Sequence, residues 1–465
     1  MRIHSVRPAL ALAAVASIAV VSVPARAQQA PPTPGTPRPF SVPAAREFSL
    51  SNGMKVTLVP YGEVPKAQVQ LIVRVGNVDE GADEVWLADV TGDLMQEGTT
   101  NRSAEQIARD AASMGGSIGI GVSSALTNIS GDALSEFVPQ MVELIADIAQ
   151  NPSFPAEALE RIRADRLRQL SIQLSQPQAQ ALRKFVSVLY PSHPYGRPFP
   201  TPEMLQGFTA EQVRAFYQEN FSAARAHLYV AGRFDEVATE QAIRAAFEGW
   251  EAGSESMPSI PSPESGRAVY LVDSPGAVQS TIYLGLPVID PSNPDYIPLQ
   301  VTNALLGGSF ASRITSNIRE QKGYTYSPFS TLSSRYRDAY WAEIADVTTD
   351  VTGPALTEIF FEIDRLRGEP PSEEELRGIQ NYLAGTFVLQ NSSRGGIISQ
   401  LSFINLHGLG RDWLESYVPR VYEVTPAEVM HIARTYLDPS RMTIVVVGDR
   451  SKIEDQLREF GEIRE

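Results

Sequence analysis

An arginine and a tyrosine seven residues apart, Arg319 and Tyr326 in the stretch REQKGYTY, are the pair in this sequence best suited to chemistry. A guanidinium and a phenol can both donate hydrogen bonds to a carbonyl oxygen that is gaining negative charge. Ordinary packing is the alternative reading of the same two residues. Two aspartates, Asp89 and Asp93 in LADVTGDLMQEG, stand four apart with Gly92 between them. On a helix they share a face and repel each other by roughly a few tenths of a kcal/mol. They are too few for a calcium site, and three readings stay open: solvated polar residues facing a cleft, a substrate contact, or a weak cation site.

The remaining chemistry is sparse. The sequence has five histidines and no cysteine, which removes thiolate zinc sites and cysteine nucleophiles. No His-x-x-x-His pair occurs among His4, His193, His227, His407 and His431. His227 and His431 fall in expected core elements, a strand and a helix, where a structural role competes with a ligand role. Gly307-Gly308-Ser309 precedes an expected helix and is a weak anion-binding signal.

Segments of regular structure must position these residues. Residues 54–60 alternate as a strand and residues 67–75 form a second. A helix is expected near residues 84–96, and Ser103 with Gln106 forms a capping box opening another through residue 114. Strands follow to residue 129, then an amphipathic helix over residues 132–149 and a long charged one over residues 155–172. In the later region residues 312–321 read as helix, Lys322-Gly323 as its stop, and residues 324–329 as extended chain. Arg319 and Tyr326 then reach one cleft.

The chain also repeats itself. TAEQV at residues 209–213 and the strand ending in Gly232 are echoed by TPAEV at residues 425–429 and the strand ending in Gly448, both at an offset of 216. Residues 132–136 align with residues 354–358, and residues 157–162 with residues 374–379. A tandem of two homologous α+β domains follows, each a mixed, mostly antiparallel sheet packed with helices and joined by a flexible linker as a clamshell. The domains span residues 45–250 and 267–462; the proline- and glycine-rich residues 251–266 form the linker, with an ordinary surface loop as the alternative.

The N-terminus reads as an export signal. Arg2 and Arg7 precede an apolar run, and Ala25-Arg26-Ala27 offers small residues for cleavage after Ala27. The run is shorter than the roughly 20 residues of a membrane-spanning helix, so periplasmic export is expected over a retained anchor, with no stable membrane span after cleavage. Residues 28–44 then form a disordered leader. The net charge of -15 becomes -18 when the three arginines of residues 1–27 leave. A surface so acidic argues against nucleic acid as a partner.

The blocks LADVTGDLMQEGTTNRS (residues 87–103), SMGGS (113–117), FPAEALERIR (154–163), HPYGRP (193–198) and LLGGSFASRITSNIREQKGYTYS (305–327) occur in order. With that spacing the chain resembles the pitrilysin, insulinase and mitochondrial processing peptidase family of zinc metallopeptidases, in its bacterial two-subunit branch. The resemblance implies a His-x-x-Glu-His zinc motif whose positions fall here on Asp89, Gly92 and Asp93, with the distal zinc-binding glutamate on Gln169. None of the four retains its ligand or base, so the resemblance implies no metal in this chain. Substrate-strand positions fall on Gly119, Ile120 and Val122, where the usual side-chain contacts are gone and only a backbone edge is left for a peptide. Arg319 and Tyr326 match the family's retained pair. The resemblance thus implies a non-zinc subunit that donates them to a homologous zinc-bearing partner, in a heterodimer or larger assembly, for hydrolysis of a peptide substrate. An inert peptide-binding or scaffold protein is the alternative.

Overall fold

The computed structural model describes residues 41–255 and 258–464. The export signal and all but the last residues of the leader lie outside the described residues. Among the described residues no helix is long and apolar enough to cross a membrane.

Two sheets of six strands organise the chain. In the first, β1 (Arg46–Ser49), β2 (Lys55–Pro60), β3 (Lys66–Val73), β4 (Ile118–Val122), β5 (Thr127–Leu134) and β6 (Ala226–Gly232) lie in the order β1-β2-β6-β3-β5-β4. In the second, β7 (Ala268–Asp273), β8 (Gln279–Val288), β9 (Phe329–Arg335), β10 (Asp338–Thr348), β11 (Thr443–Gly448) and β12 (Ile463–Arg464) lie in the order β12-β7-β11-β8-β10-β9. Five positions match between the sheets. The sixth comes from opposite ends of the chain: β1 runs antiparallel to β2, whereas β12 runs parallel to β7. The fold is therefore two mixed, helix-packed domains in tandem.

The first half opens with the helices α1 (Leu87–Met95), α2 (Ala104–Ser113), α3 (Val138–Gln150), α4 (Ala156–Leu174) and α5 (Pro177–Leu189), and three more follow at Pro202–Gly207, Ala210–Asn220 and Glu236–Phe247. Ser103 and Gln106 cap α2 reciprocally, so the capping box read in the sequence is present. The helix expected from residue 132 begins later. Asp132, Ala133 and Leu134 belong to β5, where they pair with β3, and α3 starts at Val138 behind a short turn. Period-two burial along β5 decides this, since its residues alternate buried and half-buried. The alignment of residues 132–136 with 354–358 also slips. The helix Thr352–Gly368 matches α3, and residues 354–358 lie inside it.

Each half lends a helix to the other. α5 packs on β8 and β11 of the second sheet, while the helix Arg394–His407 packs on β3 and β6 of the first. Phe185 of α5 is fully buried against Tyr283 and Tyr340, with ring centroids 4.7 and 5.4 Å away. In return Val59, Ile72, Tyr229 and Ala231 of the first sheet join the core of the second half. A polar seam runs beside the exchange: Tyr190 donates a hydrogen bond to Asp338, and the Arg335 guanidinium lies 4.7 Å from the Tyr195 ring. The described linker residues are tied at both ends, with Ala223 N–H donating to Glu251 O at 3.0 Å and Glu264 N–H to Leu189 O at 2.8 Å.

His227 stacks on Tyr229 at 4.0 Å and bonds Thr57 Oγ1 through Nε2 at 2.8 Å. Burial, with help from Lys55 and Arg74, holds it down to about 3, and burial holds His407 down to about 4. In the unfolded chain both take up protons near 6.5, so below that pH the unfolded state binds more of them. The stability they confer is complete above pH 6.5 and is lost as pH falls toward the folded values, by about 2 kcal/mol per histidine at pH 5. Urea denaturation of His227→Gln at pH 7 and pH 5 should show a smaller acid loss than the wild type; an equal loss would exclude His227 as the cause. His431, expected in a core element, is instead exposed on its helix Pro426–Tyr436, because only one face of that helix is covered.

Candidate functional site

Asp89 and Asp93 sit on α1, which buries most of its surface under β4 and the helix Ala210–Asn220. Trp86 precedes the helix in a left-handed backbone conformation, φ 72°. For a bulky residue this carries strain of order 1–3 kcal/mol, and tertiary contacts hold it there. The indole Nε1 donates to Pro198 O at 3.1 Å, and the ring meets Phe199 edge-on at 6.2 Å. Glu80 caps the helix start by accepting from Trp86 N–H at 3.0 Å and Ala88 N–H at 2.9 Å. Burial pushes its carboxyl up to about 8 against the pull of these donors and Asn77.

The two aspartates are only partly exposed and are paired from within. The Arg166 guanidinium, from α4, lies between them: Nε and Nη2 reach the two Asp93 carboxylate oxygens at 2.6 and 2.8 Å, and Nη1 reaches Asp89 Oδ1 at 3.2 Å. The other Asp89 oxygen accepts from Asn77 Nδ2 at 2.7 Å. Nη1 also donates to Gln169 Oε1 at 3.2 Å. Burial raises the Asp89 carboxyl, and neighbouring Asp93 adds to that, while Arg166 and Asn77 pull it down. The expectation of cleft-facing solvated acids is therefore corrected in part: Asp93 does line a cleft, but both carboxylates are held by Arg166 and are not left to water. A fixed internal cation holds the place between them, and burial makes that pairing strong.

These residues do not fit a zinc ion. Asp89, Asp93 and Gln169 offer only oxygen donors, and all three are bonded to Arg166. Among the described residues no group of three or more His, Asp or Glu side chains is placed to hold a metal. Gly92 has no side chain to activate water, and a Cβ there would come within 2.8 Å of Val122 Cγ2. Val122 and Ile120 thus close over the helix at that point. β4, which carries Gly119, Ile120 and Val122, pairs only with β5 and is the open edge of its sheet.

The second group lies elsewhere. Arg319 stands in a widened, π-helical segment Thr315–Gln321, which continues a helical start at residues 313–314, so the helix expected over residues 312–321 is present but widened. Its guanidinium carbon lies 5.4 Å from the Tyr326 ring centroid and 4.2 Å from that of Phe310. Both line an open pocket of 310 Å³ with Gly307, Ser309, Phe329 and Tyr382. Tyr326 is 82% exposed. A neighbouring pocket of 590 Å³ shares Ser309, Phe310 and Tyr382. The cleft of 430 Å³ beside Asp93, Arg166 and Gln169 shares no lining residue with either. The two groups read from the sequence therefore occupy separate clefts.

Sequence reasoning missed two residues. Arg166 lies three positions before Gln169 on the same helix, so helical spacing alone placed it on the face that meets α1. Glu343, on β10, is fully buried with neither carboxylate oxygen hydrogen-bonded, and burial raises it well above the carboxylate range. No local signal distinguishes it in YWAEIADV.

Comparison with known proteins agrees across both halves. Residues 56–203 match the family profile described as Insulinase (Peptidase family M16), and residues 207–383 match the one described as Peptidase M16 inactive domain. A protein of Mycobacterium tuberculosis described as an uncharacterized zinc protease is 26% identical over 438 residues, covering 90% of this chain and 97% of its own. One of Streptomyces coelicolor with the same description is 22% identical over 412 residues, covering 87% and 89%. The structure of a peptidase M16 inactive domain from Pseudomonas fluorescens superposes with a TM-score of 0.80 at 23% identity, over 87% of this chain and 98% of that one. A protease from Helicobacter pylori superposes at 0.82 with 18% identity, over 88% and 100%. Those two likenesses speak for the fold. With two profiles of one family matching in succession over residues 56–203 and 207–383 and relatives aligned over nearly its whole length, the chain belongs to peptidase family M16, the insulinase family.

Proposed function

We propose that this chain carries out no zinc chemistry of its own and acts as a non-catalytic, peptide-binding member of its family. The observation that carries this reading is the Arg166 guanidinium between Asp89 and Asp93, with Gly92 where a base would be needed. The peptide lies along an open sheet edge. β9 offers one next to Tyr326 and Arg319, and β4 offers the other. The setting is the periplasm, on the strength of the N-terminal signal. Metal analysis and peptide-hydrolysis assays of the purified mature chain test this: neither stoichiometric zinc nor turnover is expected. One zinc per chain together with hydrolysis in the absence of any partner would overturn it.

A second reading is favoured by the exposure of Tyr326 and its closeness to Arg319. In it the pair is donated to a homologous partner that bears the zinc, in a heterodimer or larger assembly, and stabilises the scissile carbonyl there. Mixing this chain with such a partner would then create hydrolysis that falls about 100-fold in Tyr326→Phe and in Arg319→Ala. If both variants stimulate the partner as well as the wild type does, donation is excluded and the peptide-binding reading stands alone.

A further inference from the structure

A cavity of 650 Å³ lies where α5, the end of α4, the loop after His193 and β7 meet. It shares no residue with the Arg166 cluster or the Arg319 pocket. Val85, Leu174, Phe199, Met204 and Val272 give it an apolar wall. Three cations, Arg183, Lys184 and Arg197, stand among the lining residues, and no carboxylate does. In a chain of net charge -15, a lining with three positive groups and no negative one is a local reversal of sign, and low-dielectric walls focus such a field.

Two of these cations, Arg183 and Arg197, are the ones a ligand can engage. Both line the cavity, and neither forms an ion pair with a carboxylate among the described residues. The Lys184 ammonium lies over the Tyr270 ring at 4.7 Å. A pocket of this size, largely apolar with a few convergent polar groups, is the usual form of a small-molecule site.

We propose that this cavity binds a carboxylate carried on an apolar body, with the hydrocarbon against Val85, Phe199 and Met204 and the acid held by the Arg183 and Arg197 guanidiniums. Planar guanidinium groups suit a carboxylate because they can donate two parallel hydrogen bonds. Two sources supply that chemistry: a fatty acid and the free C-terminus of an apolar peptide. The site is independent of zinc, of any partner chain and of the Arg319–Tyr326 pair.

Isothermal titration calorimetry of the full mature chain with four probes tests the proposal: sodium decanoate, decanol, and an acetylated apolar tetrapeptide as its C-terminal acid and as its amide. At least one acid should bind at least 10-fold more tightly than its neutral analogue, and the acid that binds names the source. Arg183→Gln should weaken that binding about 10-fold, Arg183→Lys should recover part of it, and Ser187→Trp should fill the cavity and abolish it. Arg183 and Ser187 are exposed on α5, so an unchanged melting temperature will certify the fold of each variant. Equal binding of acids and neutral analogues, no binding of either acid, or unaltered affinity in folded Arg183→Gln or Ser187→Trp would overturn the assignment. Because no hydrolysis is measured, the result does not depend on how the Arg319 and Tyr326 variants behave.

Discussion

Arg166→Ala will lower the stability of this chain by about 3 kcal/mol, because it leaves two carboxylates facing one another in a largely enclosed place. The side chains of Arg166, Asp89 and Asp93 are only 16%, 17% and 31% exposed, so water screens them poorly. The guanidinium makes three hydrogen bonds to their carboxylates and one to Gln169. Removing one partner of an enclosed ion pair costs far more than removing the whole pair. Arg166→Met combined with Asp89→Asn and Asp93→Asn should therefore recover most of the loss. Urea denaturation of the single and triple variants measures both effects. A loss below 1 kcal/mol in Arg166→Ala would mean that the acids are solvated after all, and the argument against a metal between them would lose its basis.

Phe185→Ala is expected to cost about 4 kcal/mol, in the range of large-to-small changes at fully buried aromatic positions. Its ring comes from the first half yet packs on the sheet of the second, between Tyr283 and Tyr340. Gly285 makes this approach possible: a Cβ there would meet Phe185 Cζ at 2.9 Å and the Trp341 carbonyl oxygen at 2.2 Å. Since the exchanged helices couple the two halves, the loss should appear partly as separation of one unfolding transition into two. Calorimetry of Phe185→Ala checks this. A single transition displaced by less than 1 kcal/mol would show that the halves are coupled by other contacts.

Much of the fold was legible locally. The strand runs of β2 and β3, the Ser103 capping box and the echo of residues 209–232 in residues 425–448 all rest on interactions within a few residues, or on one supersecondary unit written twice, although β2 is buried on both faces from Val56 to Val59 where the sequence read as alternating. The boundary at residue 132 was misread because a strand end and a helix start adjoin there. An apolar pattern over residues 132–149 does not mark where period two gives way to period 3.6. At the candidate sites, residue identities were readable and partners were not. Asp89, Asp93 and Gln169 were named as positions without a zinc ligand set, but the bonds of the two aspartates to Arg166 join α1 to α4 across more than 70 residues.

The sequence by itself determined the two α+β halves, the absence of any thiolate, the lack of a side chain at Gly92 and the nearness of Arg319 to Tyr326, since each follows from residue identity or short spacing. Only the tertiary structure decided that the acids of α1 are neutralised from within, that each half is completed by a helix of the other, and that Glu343 is left buried without a hydrogen bond. The physical reason is that a local pattern specifies which face of an element is buried but not what covers it. The covering group is chosen by long-range packing, and in this chain packing set a guanidinium between Asp89 and Asp93.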